Sequence, residues 1–351
     1  MKTFAIAALL AASATAAPAF SAHHETVTAA DAAKVVDNPD RLDYDRNLDG
    51  SRLPARALAF MRLEAGDRVL DMFAGGGYYT ELMARAVGAD GFVLAQNPPS
   101  FAARDTIQEA LEYRRYGDRV KNAAALNTDF MSLPLAPNSI DNVLFHLVYH
   151  DLYFESAELG LPRSDAQVVL AKIHKALRPG ATVTVIDHVG DGADARADVK
   201  ATHRIAPAIV ARDFEQAGFK LLAQESFFDN PEDDHAKSVF DPALRGKTDR
   251  FAMRFGKAGD PNSAPAVALA ETDIEADVAE YGAGECDAGP LSAMVGKALN
   301  MEGRAEALAK SGAKTLRVYS TGDAVTQDYR TDRLNIEMLP NSDEVAAVSC
   351  G

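Results

Sequence analysis

The sequence has few positive charges and few cysteines, and both shortages limit what the protein can do. Its 351 residues include 36 Lys and Arg against 51 Asp and Glu, which gives a formal net charge of -15. Such a surface repels phosphate groups, so we expect neither nucleic acid nor a membrane as a partner. The two cysteines, Cys286 and Cys350, both lie in the last quarter of the chain.

Long apolar runs are also scarce, and the one candidate lies at the N-terminus. Lys2 is followed by an uncharged run rich in Ala and Leu, and small residues follow up to Ala22. This order is typical of a secretory signal peptide, and the run is too short to remain as a membrane span. We assign residues 1–22 to a signal peptide and expect a periplasmic or secreted protein. An ordinary buried N-terminal helix is the alternative.

The expected compartment bears on the state of the cysteines. In an oxidising compartment Cys286 and Cys350 can form a disulfide, whereas a free buried pair is the alternative. The disulfide would close a loop of about 64 residues and stabilise the fold by about 4 kcal/mol. Export therefore favours the disulfide.

Changes in composition and in hydrophobic patterning along the chain indicate two domains. From residue 63 to residue 255, short apolar runs alternate with longer helical periods, which predicts a parallel sheet covered by helices. We assign residues 40–257 to this domain. A stretch rich in Gly, Pro, Asn and Ser follows, and residues 271–287 hold seven acids and no base. We assign residues 258–284 to an acidic linker and residues 285–351 to a small α+β domain.

Within these domains the periodicity predicts individual elements. Strands are expected at residues 68–72, 92–96, 123–126, 140–148, 182–186, 221–226, 250–255 and 315–319. Helices are expected at residues 80–87, 101–116, 165–177, 208–216, 291–299 and 303–310, the third of them after an N-capping Ser164.

A glycine-rich turn follows the first predicted strand. Asp71 lies near the end of that strand, and Gly75, Gly76 and Gly77 separate it from the first predicted helix. In this context glycines let the backbone approach a ligand closely while the helix amides face it.

The segment from about residue 40 to residue 256 resembles the class I S-adenosylmethionine-dependent methyltransferases. The Asp71 strand and its glycine turn match their first motif, and Leu177-Arg178-Pro179-Gly180-Ala181 matches the turn before their fifth strand. The resemblance implies an α/β, Rossmann-like seven-stranded sheet with helices on both faces and an antiparallel last strand. It implies S-adenosylmethionine as cofactor and a small-molecule methyl acceptor. The cofactor-binding residues it implies are Asp71, Gly75, Gly77, Asn97, Asp129 and Phe130. Of these, Asp129 and Phe130 match the position that contacts the adenine.

Two positions depart from the pattern of this family. The second strand normally ends on a carboxylate that accepts hydrogen bonds from both ribose hydroxyls, but Gln96 or Asn97 stands there. Phe73 replaces the first glycine of the motif and could crowd the methionine end of the cofactor. Moreover, the cofactor is made in the cytoplasm, which this chain is expected to leave. The domain is therefore an enzyme, a non-catalytic carrier, or a binder of another nucleotide-like ligand.

Five His and Asp residues are predicted near the C-terminal ends of strands, where an open α/β sheet forms its ligand crevice. They are His150, Asp151, Asp187, His188 and His203. His150 or His188 could be a general base oriented by Asp151 or Asp187. A metal site is a second interpretation, and hydrogen-bonded pairs that satisfy loop backbone are a third. We assign His150, Asp151, Asp187 and His188 as catalytic candidates and no metal ligand.

A polar segment in the small domain carries the strongest signal in the chain. Residues 325–333 separate the strand-like runs 316–319 and 334–338. The segment is too long for a tight turn, so an exposed loop held by its flanks is expected. A simple polar hairpin is the alternative on spacing alone.

Residues 285–351 resemble potato inhibitor I-type protease inhibitors, and in particular the related bacterial and fungal family that includes elastase inhibitors. Cys286, Gly322, the run 332–336 and the terminal Ser349-Cys350-Gly351 all match. The resemblance therefore implies a serine-protease inhibitor domain at the C-terminus.

By this resemblance the scissile-bond mimic is Gln327–Asp328, and Thr326 precedes it. Arg333 would reach back to Thr326 and Asp328, and a loop held in a substrate-like shape loses little entropy on docking. Glutamine supplies no cation to a trypsin-like pocket, so a subtilisin-like or elastase-like protease is the implied partner. An active small-molecule methyltransferase with an accessory C-terminal binding module is the alternative for the whole chain.

Overall fold

A computed structural model describes residues 26–262, 286–299, 301–313, 315–320, 333–339, 342 and 344–350. The predicted signal peptide, most of the acidic linker, Gly322 and the loop residues Thr326, Gln327 and Asp328 lie outside the described residues. No helix in the described ranges is long and apolar enough to cross a membrane.

The large domain is built on a seven-stranded sheet with the order β3-β2-β1-β4-β5-β7-β6. The strands are β1 Arg68–Met72, β2 Phe92–Asn97, β3 Ala123–Asn127, β4 Ile140–His146, β5 Leu177–His188, β6 Phe219–Glu225 and β7 Arg250–Lys257. The last strand, β7, runs antiparallel to both β5 and β6. The predicted seven-stranded sheet with an antiparallel last strand is confirmed. The order reverses between β1 and β4, and their carboxyl ends therefore form the edge of a crevice.

Helices cover both faces of this sheet, as predicted. They are α1 Ala29–Val36, α2 Asp43–Arg52, α3 Pro54–Met61, α4 Tyr78–Val87, α5 Pro99–Ala102, α6 Asp105–Arg114, α7 Ala166–Ala176, α8 Ala195–Thr202 and α9 Pro207–Gln216. Side chains alternate along a strand, so the neighbours Val69 and Leu70 lie in two different apolar clusters, one on each face.

Three predictions for the large domain needed correction. The single helix expected at residues 101–116 is two helices, because Arg104 has an extended backbone (φ -71°, ψ 135°) between α5 and α6. Helix α7 is capped by Asp165, whose carboxylate accepts the amide of Gln167 at 2.8 Å, and not by Ser164. β5 begins at Leu177, directly after α7, and so includes the Arg-Pro-Gly break that was expected to precede it.

The small domain contains a helix, α10 Met301–Ser311, and a sheet of the order β10-β9-β8. Its strands are β8 Thr315–Ser320, β9 Arg333–Met338 and β10 Val345–Cys350. The helix expected at residues 291–299 is a short 3-10 helix, Gly289–Met294. Leu291, Leu308 and Ile336 belong to a separate apolar core, so this domain has a core of its own.

The strands on either side of the predicted inhibitory loop are parallel. In the register of β8 and β9, Thr315 lies opposite Arg333 and Ser320 lies opposite Met338. A hairpin joins antiparallel strands, so the alternative of a simple polar hairpin is wrong.

Cys286 and Cys350 form a disulfide, with their Cα atoms 5.7 Å apart. The bond ties the first described residue of the small domain to the end of β10 and confirms the predicted pairing. It closes a loop with a sequence separation of 64 around a small core, where a cross-link removes many unfolded conformations.

Replacing both cysteines by serine should lower the free energy of unfolding of the small domain by about 4 kcal/mol. Urea unfolding, followed by hydrogen exchange of β9 and β10, would measure this loss separately from the large domain. Dithiothreitol should reproduce the loss in the native protein and have no effect on the double variant. Equal stability of β9 and β10 in both proteins would contradict the expectation.

Candidate functional site

A cavity of about 480 Å³ lies beside the glycine-rich turn, at the carboxyl ends of β1 and β4. Asp71 and Gly75 line it, and so do Arg52 from α2, Tyr79 from α4 and His146 from the end of β4. We call this cavity the crevice. Of the six predicted cofactor-binding residues, Asp71 and Gly75 line it; Gly77, Asn97, Asp129 and Phe130 do not.

The two positive-φ glycines of the turn, Gly75 and Gly77, are required for different reasons. Gly75 (φ 56°) has open space where a Cβ would stand, which suits a turn that faces a ligand. At Gly77 (φ 81°) a Cβ would collide with the hydroxyl of Tyr116 and stand 2.9 Å from Arg114 Cδ. Gly77 is therefore required for close packing of the protein on itself.

Asp71 is buried at the base of the crevice. Thr80 Oγ1 donates a hydrogen bond of 2.6 Å to Asp71 Oδ2. Burial raises the pKa of Asp71 to about 7, although the bond from Thr80 acts in the opposite direction. At neutral pH this carboxyl group is thus divided between its charged and neutral forms.

The side-chain amides of Gln96 and Asn97, at the end of β2, form hydrogen bonds to the backbone in and around the glycine-rich turn. The Phe73 amide donates to Gln96 Oε1 at 3.0 Å, and Gln96 Nε2 donates to the Thr128 carbonyl at 2.6 Å. The Gly75 amide donates to Asn97 Oδ1 at 2.9 Å, and Asn97 Nδ2 donates back to the Gly75 carbonyl at 3.0 Å. Both side chains are fully buried, so neither offers an acceptor to a ribose.

Aromatic side chains fill the space beyond these amides. Phe73 has a left-handed backbone (φ 50°), and its ring packs edge-to-face against Phe101 and Phe130 at centroid distances of 4.5 and 5.5 Å. Asp129 lies in a separate shallow depression together with Pro99. The residue pair predicted to contact an adenine is thus outside the crevice.

A buried guanidinium network encloses the crevice on the side of α2 and α6. Arg114 donates two hydrogen bonds of 2.8 Å to the Asp45 carboxylate, one of 2.7 Å to Glu81 and one to the Gly76 carbonyl. Glu81 also accepts hydrogen bonds from Arg119 and Arg85. The network fixes α2, α4 and α6 around the turn, and no local pattern in the sequence predicts it.

His146 is a further residue that the sequence analysis missed. Its ring lies 4.4 Å from that of Tyr79, and its Nε2 atom is buried without a hydrogen-bond partner among the described residues. Burial, together with the charges of Arg52 and Arg250, lowers its pKa well below 6.5. His146 therefore presents a neutral imidazole to the crevice. In the sequence, the only sign that His146 belongs to the site is its position near the end of the fourth predicted strand.

The predicted catalytic group lies next along the same sheet edge. Asp187 accepts the backbone amides of His150 at 2.9 Å and His188 at 2.8 Å, and its Oδ1 lies 2.8 Å from His150 Nδ1. Asp151 Oδ2 is 3.8 Å from His150 Nε2, and His188 Nδ1 is 2.7 Å from Thr248 Oγ1. The four candidates are thus close together.

Charge determines what this group can do at neutral pH. Burial alone would lower the pKa of His150, but the carboxylates of Asp187 and Asp151 outweigh it and raise the value to about 9. Burial, and then the charge of His150, lowers the pKa of His188 well below 6.5 and that of His203 to about 4. A protonated His150 cannot accept a proton, and Asp187 is bonded to loop backbone. No group of three metal-binding side chains was found among the described residues. The catalytic roles of His150, Asp151, Asp187 and His188 stay predictions.

Two family models match separate parts of the chain. The family described as "Peptidase inhibitor I78 family" matches residues 286–351. The family described as "Protein-L-isoaspartate(D-aspartate) O-methyltransferase (PCMT)" matches residues 21–102. The protein joins a methyltransferase-like domain to an I78 peptidase inhibitor domain. No curated protein matched the chain.

Solved structures similar to the methyltransferase-like domain share little sequence with it. A SAM-dependent methyltransferase from Aquifex aeolicus is 19% identical, with 64% of this chain and 97% of that chain covered and a TM-score of 0.42. An S-adenosylmethionine-dependent methyltransferase from Mesorhizobium loti is 16% identical, with 59% and 99% covered and a TM-score of 0.42. The fold is therefore assigned from the strand order of the sheet and not from these similarities.

Changing His150 to Asn should flatten the pH dependence of stability of the methyltransferase-like domain. The folded-state pKa of His150 is raised to about 9, so its contribution is complete below about pH 6.5 and is lost as the pH rises through about 9. Urea unfolding at pH 6, 7.5 and 9.5 would measure it. His203→Asn is the control, because the lowered pKa of His203 confines its contribution to the opposite trend: it is lost as the pH falls below about 7 and does not change between pH 7.5 and 9.5. A parallel pH profile for wild type and His150→Asn would contradict the assignment.

Proposed function

We propose that the protein is an exported serine-protease inhibitor whose inhibitory segment is carried by the C-terminal domain. The observation that carries this proposal is the match of the I78 peptidase inhibitor family to residues 286–351. That range coincides with the domain closed by the disulfide between Cys286 and Cys350. Export is supported by the predicted signal peptide and by the disulfide, since such bonds persist in oxidising compartments.

The parallel pairing of β8 and β9 supports an inhibitory segment between them. The chain leaves β8 at Ser320 and enters β9 at Arg333, and these residues lie at opposite ends of the strand pair. Six residues of strand measure about 20 Å, a distance that no tight turn spans. Thr326, Gln327 and Asp328 belong to the stretch of sequence between those two ends.

Arg333 is a suitable anchor for such a segment. It is the first residue of β9, its side chain is buried, and the next residues of the strand, Leu334 and Ile336, are fully buried in the domain core. A buried guanidinium at the base of the segment can hold carboxylate and hydroxyl groups through charge-assisted hydrogen bonds. In this proposal Arg333 binds Thr326 and Asp328 and keeps a cleaved bond in place for resealing.

Changing Gln327 to Leu should tighten inhibition of a subtilisin-type protease about tenfold, because an apolar pocket gains about 1–3 kcal/mol from an apolar partner. Inhibition constants of the full chain against a subtilisin-type, an elastase-type and a trypsin-type enzyme would test this. Lys310→Ala, on the exposed side of α10, is the control and should change nothing. Unchanged constants for Gln327→Leu, or strongest inhibition of the trypsin-type enzyme, would contradict the specificity assignment.

Changing Arg333 to Ala should weaken inhibition or turn the inhibitor into a substrate, because the proposed anchor is lost. Mass spectrometry after incubation with the protease would show cleavage after Gln327. Since Arg333 is buried, the thermal transition of each variant must be recorded, and Arg333→Lys should retain part of the inhibition. A folded Arg333→Ala protein that inhibits like the wild type would refute the role.

The methyltransferase-like domain is less suited to its expected cofactor. S-adenosylmethionine needs an acceptor for its ribose hydroxyls, but the amides of Gln96 and Asn97 are both bonded to backbone. The residues predicted for the adenine, Asp129 and Phe130, lie outside the crevice. The residues present therefore do not fit this cofactor, and we derive no methyl transfer. The PCMT family match keeps a methyltransferase as the second candidate function.

Titration calorimetry should show no saturable binding of S-adenosylmethionine up to millimolar concentration. Asn97→Asp, which restores the carboxylate usual at this position, should not create binding. It should instead lower stability by about 1–3 kcal/mol, because a buried carboxylate would face the Gly75 carbonyl in place of a donor. Binding by the wild type at micromolar concentration would restore the enzymatic interpretation.

A further inference from the structure

The crevice is not formed by the methyltransferase-like domain alone. Arg304 from α10 and Leu316 and Val318 from β8 line the same cavity as Asp71 and Gly75. Leu316 and Val318 are two positions apart on a strand and therefore share one face of β8. The inhibitor domain thus supplies part of the cavity wall.

A specific ion pair holds the inhibitor domain at this position. Arg304 Nη2 lies 2.7 Å from Glu109 Oε2 on α6, and the two side chains are only 16% and 28% exposed. Helix α10 also contacts α2, which the Arg114–Asp45 pair fixes against the glycine turn. The docking surface is therefore made from the helices that enclose the crevice.

Two polar atoms of the crevice residues lack a hydrogen-bond partner within the described part of the chain. They are Arg304 Nε, from the inhibitor domain, and His146 Nε2, from the methyltransferase-like domain. A buried polar atom without a partner costs about 1–3 kcal/mol. Such atoms are rare in folded proteins, and here both belong to side chains that line the crevice.

The charges of the lining favour an anion. The two lining carboxylates are already bonded, Asp45 to Arg114 and Asp71 to Thr80. Arg52 has its guanidinium 4.4 Å from the centre of the Tyr78 ring and brings positive charge to the cavity. Arg304 also lines the cavity, and its charge is balanced by Glu109, which does not line it. The rest of the wall includes apolar side chains from both domains: Leu42, Leu48, Ile107, Leu316 and Val318.

We propose that the crevice is a two-domain binding site for an amphipathic anion. The guanidinium groups of Arg304, from the inhibitor domain, and of Arg52 contact an anionic group of the ligand, and the apolar part of the ligand packs against Leu316 and Val318. Because the ligand contacts both domains, its binding and the docking of the inhibitor domain stabilise each other by the same free energy. This site does not depend on protease inhibition or on methyl transfer.

The docking is tested first, by hydrogen exchange of the full-length protein. Arg304→Glu and Glu109→Arg should each speed the exchange of the α6 amides at least tenfold, since each places like charges together. The double variant should restore slow exchange, which also shows that the single variants are folded. Wild-type exchange rates in both single variants would overturn the docked arrangement.

The ligand chemistry is tested with 8-anilinonaphthalene-1-sulfonate, an amphipathic sulfonate whose fluorescence reports binding. The wild type should bind about one molecule, Arg304→Ala should bind it at least tenfold more weakly, and Arg304→Lys should lie between them. Lys310→Ala, on the same helix but away from the crevice, should bind like the wild type. The absence of binding by the wild type, or equal affinity in wild type and Arg304→Ala, would overturn the proposal. Failure of protease inhibition would leave all these results unchanged, so the two proposals are tested separately.

Discussion

The crevice of this protein depends on one buried guanidinium. Arg114, the last residue of α6, bonds at once to Asp45 of α2, to Glu81 of α4 and to the Gly76 carbonyl of the turn. Breaking a buried ion pair by removing one partner costs about 3–5 kcal/mol, because the remaining charge is left without compensation. Loss of Arg114 would therefore free α2 and the glycine turn together. It would also disturb α6, which carries the Glu109 that pairs with the inhibitor domain.

Around this guanidinium, the backbone groups of the glycine turn are hydrogen-bonded within the protein and Gly77 is closely packed. The amides of Phe73 and Gly75 are satisfied by Gln96 and Asn97, and the space at Gly77 is taken by Tyr116 and Arg114. A turn whose amide groups are already bonded has fewer donors left for a bound nucleotide. The sheet of the methyltransferase-like domain thus has polar groups at its carboxyl edge that are hydrogen-bonded within the protein. The inhibitor domain, in contrast, keeps a separate core and a disulfide.

Much of the fold could be predicted because its signals are local. Apolar runs with flanking Gly and Pro identified the strands of the large sheet, and the resemblance supplied their number and the antiparallel last strand. The three N-terminal helices were missed for a physical reason. Helix α2 is mostly polar along its length, and its buried residue is Asp45, which no apolar periodicity reveals. The site was harder to predict: Arg114 and Asp45 are 69 positions apart, and no spacing rule connects them.

The sequence by itself determined the sheet, the two-domain organisation and the pairing of Cys286 with Cys350, since each follows from local patterning or from the small number of candidate partners. Only the tertiary structure decided which polar groups remain for a ligand. Asn97 and Gln96 read as possible ribose acceptors in sequence, yet both are bonded to backbone across the turn. Arg304 gave no signal of its own, and His146 gave only its position at the end of a strand; both line one cavity because of the tertiary fold. Hydrogen-bond partners distant in sequence are chosen by packing, which local sequence does not encode.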